Sequence, residues 1–220
     1  MPLTALQINI LDTAIGAYAF PATYYDFAAN APVHAVNMAV VEVAIRRMLT
    51  SANPTDAKYG LANVLYWGYA QIGFGPTRVN RFLENVTPAQ IIGYQALVIA
   101  HPVPNLTQLR SLRMPQYSGI SFLSKVLTFL DPAQYCVLDL QLAKLPNGFG
   151  ARALHELVSS TTIPVTQTNQ VVYNLWRAEC VDISNTYFNG RYRAVDVERG
   201  FFHLIQTGNL AVAQQIYAFA

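Results

Sequence analysis

Apolar side chains recur every three to four residues along most of this chain, the spacing that lines one face of a helix rather than one face of a strand. On that pattern, residues 4–20, 33–50, 55–71, 77–86, 88–101 and 106–113 are predicted helices. The punctuation between them agrees. Arg46-Arg47 puts positive charge in a last turn, where the helix dipole favours it, and Asn53-Pro54-Thr55-Asp56 breaks the chain behind it. Gly73-Phe74-Gly75-Pro76 is a turn, Thr87-Pro88 supplies an N-cap and a first-turn proline, and Pro102-Val103-Pro104-Asn105 is a connector. A further helix begins after Gly119 and stops at Asp131-Pro132, because a residue preceding proline is pushed out of the helical region. Tyr135-Cys136-Val137-Leu138 reads as a short extended run, and Asp139 stands where a following short helix takes its N-cap. Past the Gly148-Phe149-Gly150 break, helices are expected over 151–160, 167–180, 194–207 and 209–218, with a turn at Pro164. Strand-like alternation is almost absent, so the fold class is all-α.

With 53% apolar residues, a chain of 220 residues can bury a core without staples, as one domain or two small lobes. Charged residues make up only 12%, about half the usual share. The surface must then be solvated by Asn, Gln, Ser, Thr and Tyr, which leaves room for self-association. A net charge of +2 is far from the strongly basic balance of most nucleic-acid binders, so any DNA contact has to come from a local patch. Arg78 with Arg81, Arg110 with Arg113, and Arg191, Arg193 and Arg199 are spaced to form one; scattered, solvated arginines are the alternative. Asp196-x-Glu198-Arg199 reads as an acidic first-turn cap beside a solvated arginine. Cys136 and Cys180 sit in apolar runs without metal-ligand spacing, which predicts buried, reduced thiols in a reducing compartment. Residues 1–20 lack a basic leader and carry Asp12, and no segment is long and uncharged enough to span a bilayer, so a cytoplasmic protein with no membrane partner is expected. His34, His101, His155 and His203 are dispersed, and neither a metal nor another cofactor is expected.

The chemistry-bearing stretch is Tyr117 to Leu145. At helical spacing Phe122, Leu123, Val126, Leu127, Phe129 and Leu130 cover most of a helix, leaving Ser121, Ser124, Lys125 and Thr128 as a narrow polar stripe. Only three lysines stand against eleven arginines, and Lys125 occupies the least solvated place of the three. Burial penalises a charged ammonium and so favours the neutral, nucleophilic amine, although an ionised Asp139 nearby opposes that shift. A snorkelling or ion-paired structural lysine, and an aspartate that only caps, are the alternative readings.

The series Ser124-Lys125-x-x-x-x-Phe129-x-x-Pro132-x-x-Tyr135-x-Val137-x-Asp139-x-x-Leu142 resembles the core of the helix-hairpin-helix DNA glycosylases, and more specifically their 8-oxoguanine glycosylase-like branch. The likeness covers residues 112–145, with the hairpin core at about 106–145. Met114-Pro115-Gln116-Tyr117-Ser118-Gly119-Ile120-Ser121 stands where the family carries a leucine-proline-glycine-x-glycine turn, with Ser121 replacing the second glycine. The resemblance implies a single two-lobed helical domain over 1–220, Lys125 attacking the anomeric carbon, and Asp139 assisting. It implies damaged double-stranded DNA as partner, an oxidised purine as target, and strand cleavage following from the Schiff base. A flipped base must be held between apolar faces and read along its edge, for which Trp67, Tyr117, Phe122 and Gln141 are the candidates. Arg110, Arg113 and the backbone around Gly119 and Ser121 are the candidates for phosphate. A non-catalytic helical module of the same fold, binding nucleic acid or a protein, is the competing reading, and the low charge suits it.

Overall fold

A computed structural model describes residues 2–148 and 150–220; Phe149, in the expected glycine break, lies outside them. The helices are α1 (Ala5–Gly16), α2 (Met38–Leu49), α3 (Pro54–Gly68), α4 (Gly75–Asn85), α5 (Pro88–Ala100), α6 (Leu106–Ser111), α7 (Ile120–Leu130), α8 (Gln167–Phe188), α9 (Ala194–Gln206) and α10 (Leu210–Phe219). One hairpin, β1 (Thr23–Asp26) with β2 (Ala31–His34), is the strand content among the described residues. The chain is mostly helical, as its periodicity requires. It divides into two compact units, Phe20–Asp131 and Met1–Ala19 with Pro132–Ala220.

In the first of these, α3 is the hub: α2, α4, α5, α7 and β1 all pack on it. From Gly60 to Leu65 every residue of α3 is buried, the pattern of a helix that presents no face to water. Such a helix has to be narrow where neighbours approach. A Cβ on Gly60 would lie 2.7 Å from the Leu49 backbone nitrogen at the end of α2, so only glycine fits there. The polar member of this buried run is Asn63, fully enclosed. Its Oδ1 accepts from Tyr25 N at 2.6 Å and its Nδ2 donates to Tyr25 O at 3.0 Å, so a side-chain amide acts as the neighbouring strand for β1.

That pairing explains the hairpin, which the helical reading of 33–50 passed over. β1 and β2 run antiparallel with Tyr24 opposite Val33 and Tyr25 opposite Pro32. Both backbone groups of Tyr25 turn towards Asn63, so Pro32 falls at a non-hydrogen-bonded pair, where its missing N–H costs the ladder nothing. Asp26 Oδ1 closes the turn by accepting from Ala28 N and Ala29 N at 2.9 and 3.0 Å, and Asn30 takes a left-handed φ of 52°. Strands of four residues with a proline in one carry too little alternation to be read locally.

The second unit is built on α9, against which α1, α8 and α10 pack. Gly200 is the point of closest approach, since a Cβ there would lie 2.6 Å from Ile15 Cγ1 of α1. Two further expectations are corrected in this unit. The helix expected over 151–160 is a single 3-10 turn, Ala153–Glu156, and the helix expected over 167–180 runs on to Phe188. The first correction has a side-chain cause: buried Asn169 of α8 accepts from Val158 N at 2.9 Å and donates to Val158 O at 2.7 Å and Pro164 O at 2.9 Å. Val158 and Pro164, at the two ends of the segment, are thereby bound to α8, and Ser160 N donates to Thr162 O at 3.0 Å between them. The second follows from Asn189, whose left-handed φ of 54° ends α8 later than the apolar pattern suggests.

Replacing Asn63 by Ala leaves both backbone groups of Tyr25 without partners, and a loss of about 2–3 kcal/mol in denaturant unfolding is expected. An unchanged unfolding midpoint would show that the amide bridge to Tyr25 contributes nothing.

Candidate functional site

α7 follows the hairpin loop from α6, and the loop is held by side chains instead of by a glycine-rich turn. Gln90 Nε2 donates to Leu112 O at 3.2 Å and to Arg113 O at 2.9 Å, while Arg78 Nη1 donates to Gln116 Oε1 at 3.1 Å. Arg113 and Gln116 both sit at positive φ, 51° and 69°, conformations that cost a non-glycine residue energy and that these contacts hold in place. Gly119 is the N-cap of α7 with no side-chain cap bond, and Ser121 lies half-buried in the first turn. Arg110, half-buried, is in the last turn of α6, and Arg113 is exposed. The Arg110, Arg113, Gly119 and Ser121 candidates thus share one loop and the two helix ends beside it.

The polar stripe predicted on α7 is enclosed. Ser124 and Thr128 are buried, and Lys125 retains only 7% of its surface. Thr128 Oγ1 returns its proton to Ser124 O at 2.9 Å, the usual way a helix satisfies a buried hydroxyl. Lys125 Nζ donates to Ser121 O at 3.1 Å, one turn back, and lies 5.2 Å from the centre of the Phe122 ring. The lysine stem runs over Gly68 of α3. A Cβ at Gly68 would lie 2.6 Å from Phe122 Cε1 and 3.1 Å from Lys125 Cδ. The missing side chain of Gly68 is therefore the space that Phe122 and Lys125 occupy.

The aromatic candidates divide by environment. Tyr117 is wholly buried and its hydroxyl donates to Leu61 O of α3 at 2.5 Å, which fastens the hairpin loop to the hub. Burial, and the nearby tyrosines after it, keep its phenol well above the ordinary range. Phe122 is half-buried, tilted against Tyr69 at 4.6 Å and edge-on to Tyr117 at 6.4 Å. Trp67 is buried between Phe20 at 4.8 Å and Phe129 at 5.1 Å, and its indole N–H finds no hydrogen-bond partner among the described residues.

Asp139 belongs to the other compact unit, where an unusual arrangement positions it. The run Cys136–Leu138 is extended without a strand beside it, because α8 and α9 satisfy its backbone with side chains. Tyr173 donates to Cys136 O at 2.9 Å, Trp176 Nε1 to Val137 O at 3.0 Å, and the Glu198 carboxylate accepts from Val137 N at 3.4 Å. The chain then turns at Asp139, whose Oδ1 accepts from Gln141 N at 2.9 Å and Leu142 N at 3.2 Å, starting the 3-10 turn Leu142–Lys144. The sequence puts Asp139 at the N-cap of a short helix; the N-cap of the 3-10 turn is Gln141, and the Asp139 carboxylate holds the turn's first amides from two residues further back. Gln141 is exposed, and its Oε1 accepts from Lys144 Nζ at 2.6 Å.

Beside Asp139's segment lies the charged cluster that the sequence suggests is a solvated cap, and it is largely buried. Arg199, expected to be solvated, retains only 6% exposure, and Glu198 only 4%. Arg199 pairs with Asp196 at 3.5 Å and lies 5.2 Å from the Tyr18 ring centre. Burial pushes the Tyr18 phenol upward, Arg199 opposes it, and Glu198 and Asp139 add to the rise. Asp196 is the acidic first-turn residue expected: it accepts from Arg193 N at 3.1 Å and pairs with the Arg193 guanidinium at 2.8 Å. Burial alone would raise its carboxyl, but the Arg193 hydrogen bonds and charge, followed by the charge of Arg199, hold it below its ordinary value of 3.8. The sequence pattern does not show the burial of Arg199: Asp196, Arg199, His203 and Gln206 fall on one polar stripe of α9, yet α1 and α8 pack so closely on the helix that Arg199 is enclosed. Cys136 and Cys180 are buried free thiols as expected, with their sulfurs 3.8 Å apart.

No group of metal-ligating side chains occurs among the described residues, and no helix among them is long and apolar enough to cross a membrane.

Two outcomes follow from this geometry. Gly68→Ala must displace Phe122 and the Lys125 stem, so an amine-acylating reagent should modify Lys125 severalfold faster in the variant, at a stability cost of about 1–3 kcal/mol. Equal acylation rates, read by peptide mass spectrometry, would mean that Gly68 does not seat the lysine. Because the folded Asp196 carboxyl titrates below its unfolded value, its stabilisation is full above pH 3.8 and is lost as pH falls through the folded value. Asp196→Asn should therefore be about 1–2 kcal/mol less stable at pH 7 and approach the parent in acid; a gap independent of pH would contradict the ion pair.

No family model, curated protein or solved structure matches the chain, so what the site can do is argued from its own residues.

Proposed function

We propose that the chain is a lysine-dependent DNA glycosylase that excises an oxidised purine such as 8-oxoguanine, with Lys125 as nucleophile and Asp139 as the assisting carboxylate. The observation that carries this reading is the enclosure of Lys125, 7% exposed on α7 directly after the hairpin loop, within the residue series that resembles the glycosylase core. Burying a charged ammonium is costly unless it is paired, and enclosed titratable side chains recur at functional sites. The neutral amine attacks C1′ of the damaged nucleotide, the bond from C1′ to the base breaks, and the base leaves with the electron pair and takes up a proton. Opening of the sugar then gives a Schiff base, from which strand cleavage follows. The Asp139 carboxylate offsets positive charge on the sugar as the base departs.

The hairpin loop supports DNA contact through amides near Gly119 together with Arg110 and Arg113. A net charge of +2 favours the second reading, a non-catalytic module of the same architecture that binds nucleic acid or protein. Borohydride trapping separates the two. On duplexes carrying 8-oxoguanine or an abasic site, the parent protein should form a covalent adduct, Lys125→Gln should form none while keeping its circular dichroism, and Asp139→Asn should release base more slowly. An adduct that persists in Lys125→Gln assigns the chemistry to another amine, and no adduct with the parent on any lesion favours the module.

A further inference from the structure

A second place in the Phe20–Asp131 unit has the make-up of a ligand site, and nothing in the glycosylase reading uses it. Tyr25 and Phe27 of the hairpin, Tyr66 of α3, and Pro76, Val79, Asn80 and Leu83 of α4, with Asn30 at the rim, enclose a cleft of about 340 Å³. That is at the small end of the roughly 300–1,000 Å³ of small-molecule sites. Three of its walls are aromatic rings, Tyr25 lying 5.1 Å from Phe27 and 5.4 Å from Tyr66. They are fixed from behind. Phe27 stacks on Tyr59 at 4.6 Å with an interplanar angle of 16°, and the Asn63 bridge holds the Tyr25 backbone. The Tyr25 hydroxyl donates to Asn30 Oδ1 at 2.8 Å, which orients the Asn30 amide and leaves its N–H groups to the rim.

The polar groups decide which ligand suits the cleft. None of the described residues lining it is charged, so the cleft offers no ion-pair partner to a phosphate or a carboxylate. Asn80 is exposed, and its amide makes no hydrogen bond among the described residues. An asparagine amide pairs in two places with the N6 and N7 edge of adenine, and bases stack on aromatic side chains. Burial, and Tyr25 after it, raise the Tyr66 phenol, so it remains a donor throughout the physiological range. A sugar ring would lack the charged partners that its paired hydroxyls usually find. We infer that this cleft binds the uncharged base of an adenine nucleoside, its ring among Tyr25, Phe27 and Tyr66 and its edge on Asn80. The base arrives either as a free nucleoside or as one residue of a single strand.

The full chain, labelled with nitrogen-15, tests this by titration with adenosine, with the trinucleotide of deoxyadenosine, and with methyl glucoside. Adenosine or the trinucleotide should move the signals of Asn80, Tyr66, Phe27 and their neighbours, and methyl glucoside should not. Asn80→Ala and Tyr66→Ala should each weaken binding about tenfold. Asn80 is exposed, so its variant remains informative if Tyr66→Ala fails to fold. Lys125→Gln should bind as the parent does, which keeps this outcome separate from that of the glycosylase reading. Tighter binding of the trinucleotide identifies a strand as the source, and binding of adenosine alone identifies the free nucleoside. Silence at these residues with both adenine ligands, an equal response to methyl glucoside, or undiminished binding by Asn80→Ala overturns the assignment.

Discussion

The Phe20–Asp131 unit depends on one constraint: the middle of α3, from Gly60 to Leu65, is buried on every side. A helix in that position has no polar face to spend, so its chemistry is reduced to small residues where neighbours approach and self-satisfied polar groups elsewhere. Gly60 admits the end of α2, Gly68 admits Phe122 and Lys125, and the Leu61 carbonyl is taken by the Tyr117 hydroxyl. The candidate nucleophile is positioned by this same economy. Lys125 lies where it does because α3 has no side chain at Gly68, and an added methyl there would compete with it for space.

A second device recurs in both units. Asn63 and Asn169 are each wholly enclosed, and each pairs with the N–H and C=O of one extended residue, Tyr25 in one case and Val158 in the other. An amide offers a donor and an acceptor at the spacing of a peptide group, so it can stand in for a strand. A fold with almost no sheet can in this way carry extended segments across a helical core without leaving backbone groups unpaired. The run before Asp139 follows the same logic with other side chains, since Tyr173, Trp176 and Glu198 satisfy Cys136 and Val137. Asp139 is thus presented by a segment whose conformation α8 and α9 impose.

Charge is scarce in this chain, and at the start of α9 part of it is drawn inward, with Glu198 and Arg199 buried. Asp196, Arg193, Arg199 and Glu198 cluster at the start of α9, and Tyr18 covers the Arg199 guanidinium. Burial of like groups is costly unless they are paired, and the depressed Asp196 carboxyl reflects that pairing. The aromatic cleft at the hairpin shows the opposite solution, a polar rim of amides and hydroxyls with no charge.

The sequence by itself determined the helical class and most helix positions, because a period near 3.6 with caps such as Thr87-Pro88 and the stop at Asp131-Pro132 is a local signal. It also singled out Lys125 as a lysine with apolar neighbours and Asp139 as the carboxylate that holds the next turn, both of which need only spacing along the chain. Tertiary structure alone decided the rest. The β1–β2 hairpin exists because Asn63, far along the chain, supplies its missing partner, and the segment after Glu156 leaves the helix because Asn169 binds it. No local pattern encodes either pairing. The burial of Arg199 and Glu198 was decided by how densely α1 and α8 pack on α9, and the seat of Lys125 by a glycine on another helix. Periodicity along a chain reports which face of an element is apolar. Which polar group is buried with its partner depends on contacts between residues that only folding brings together.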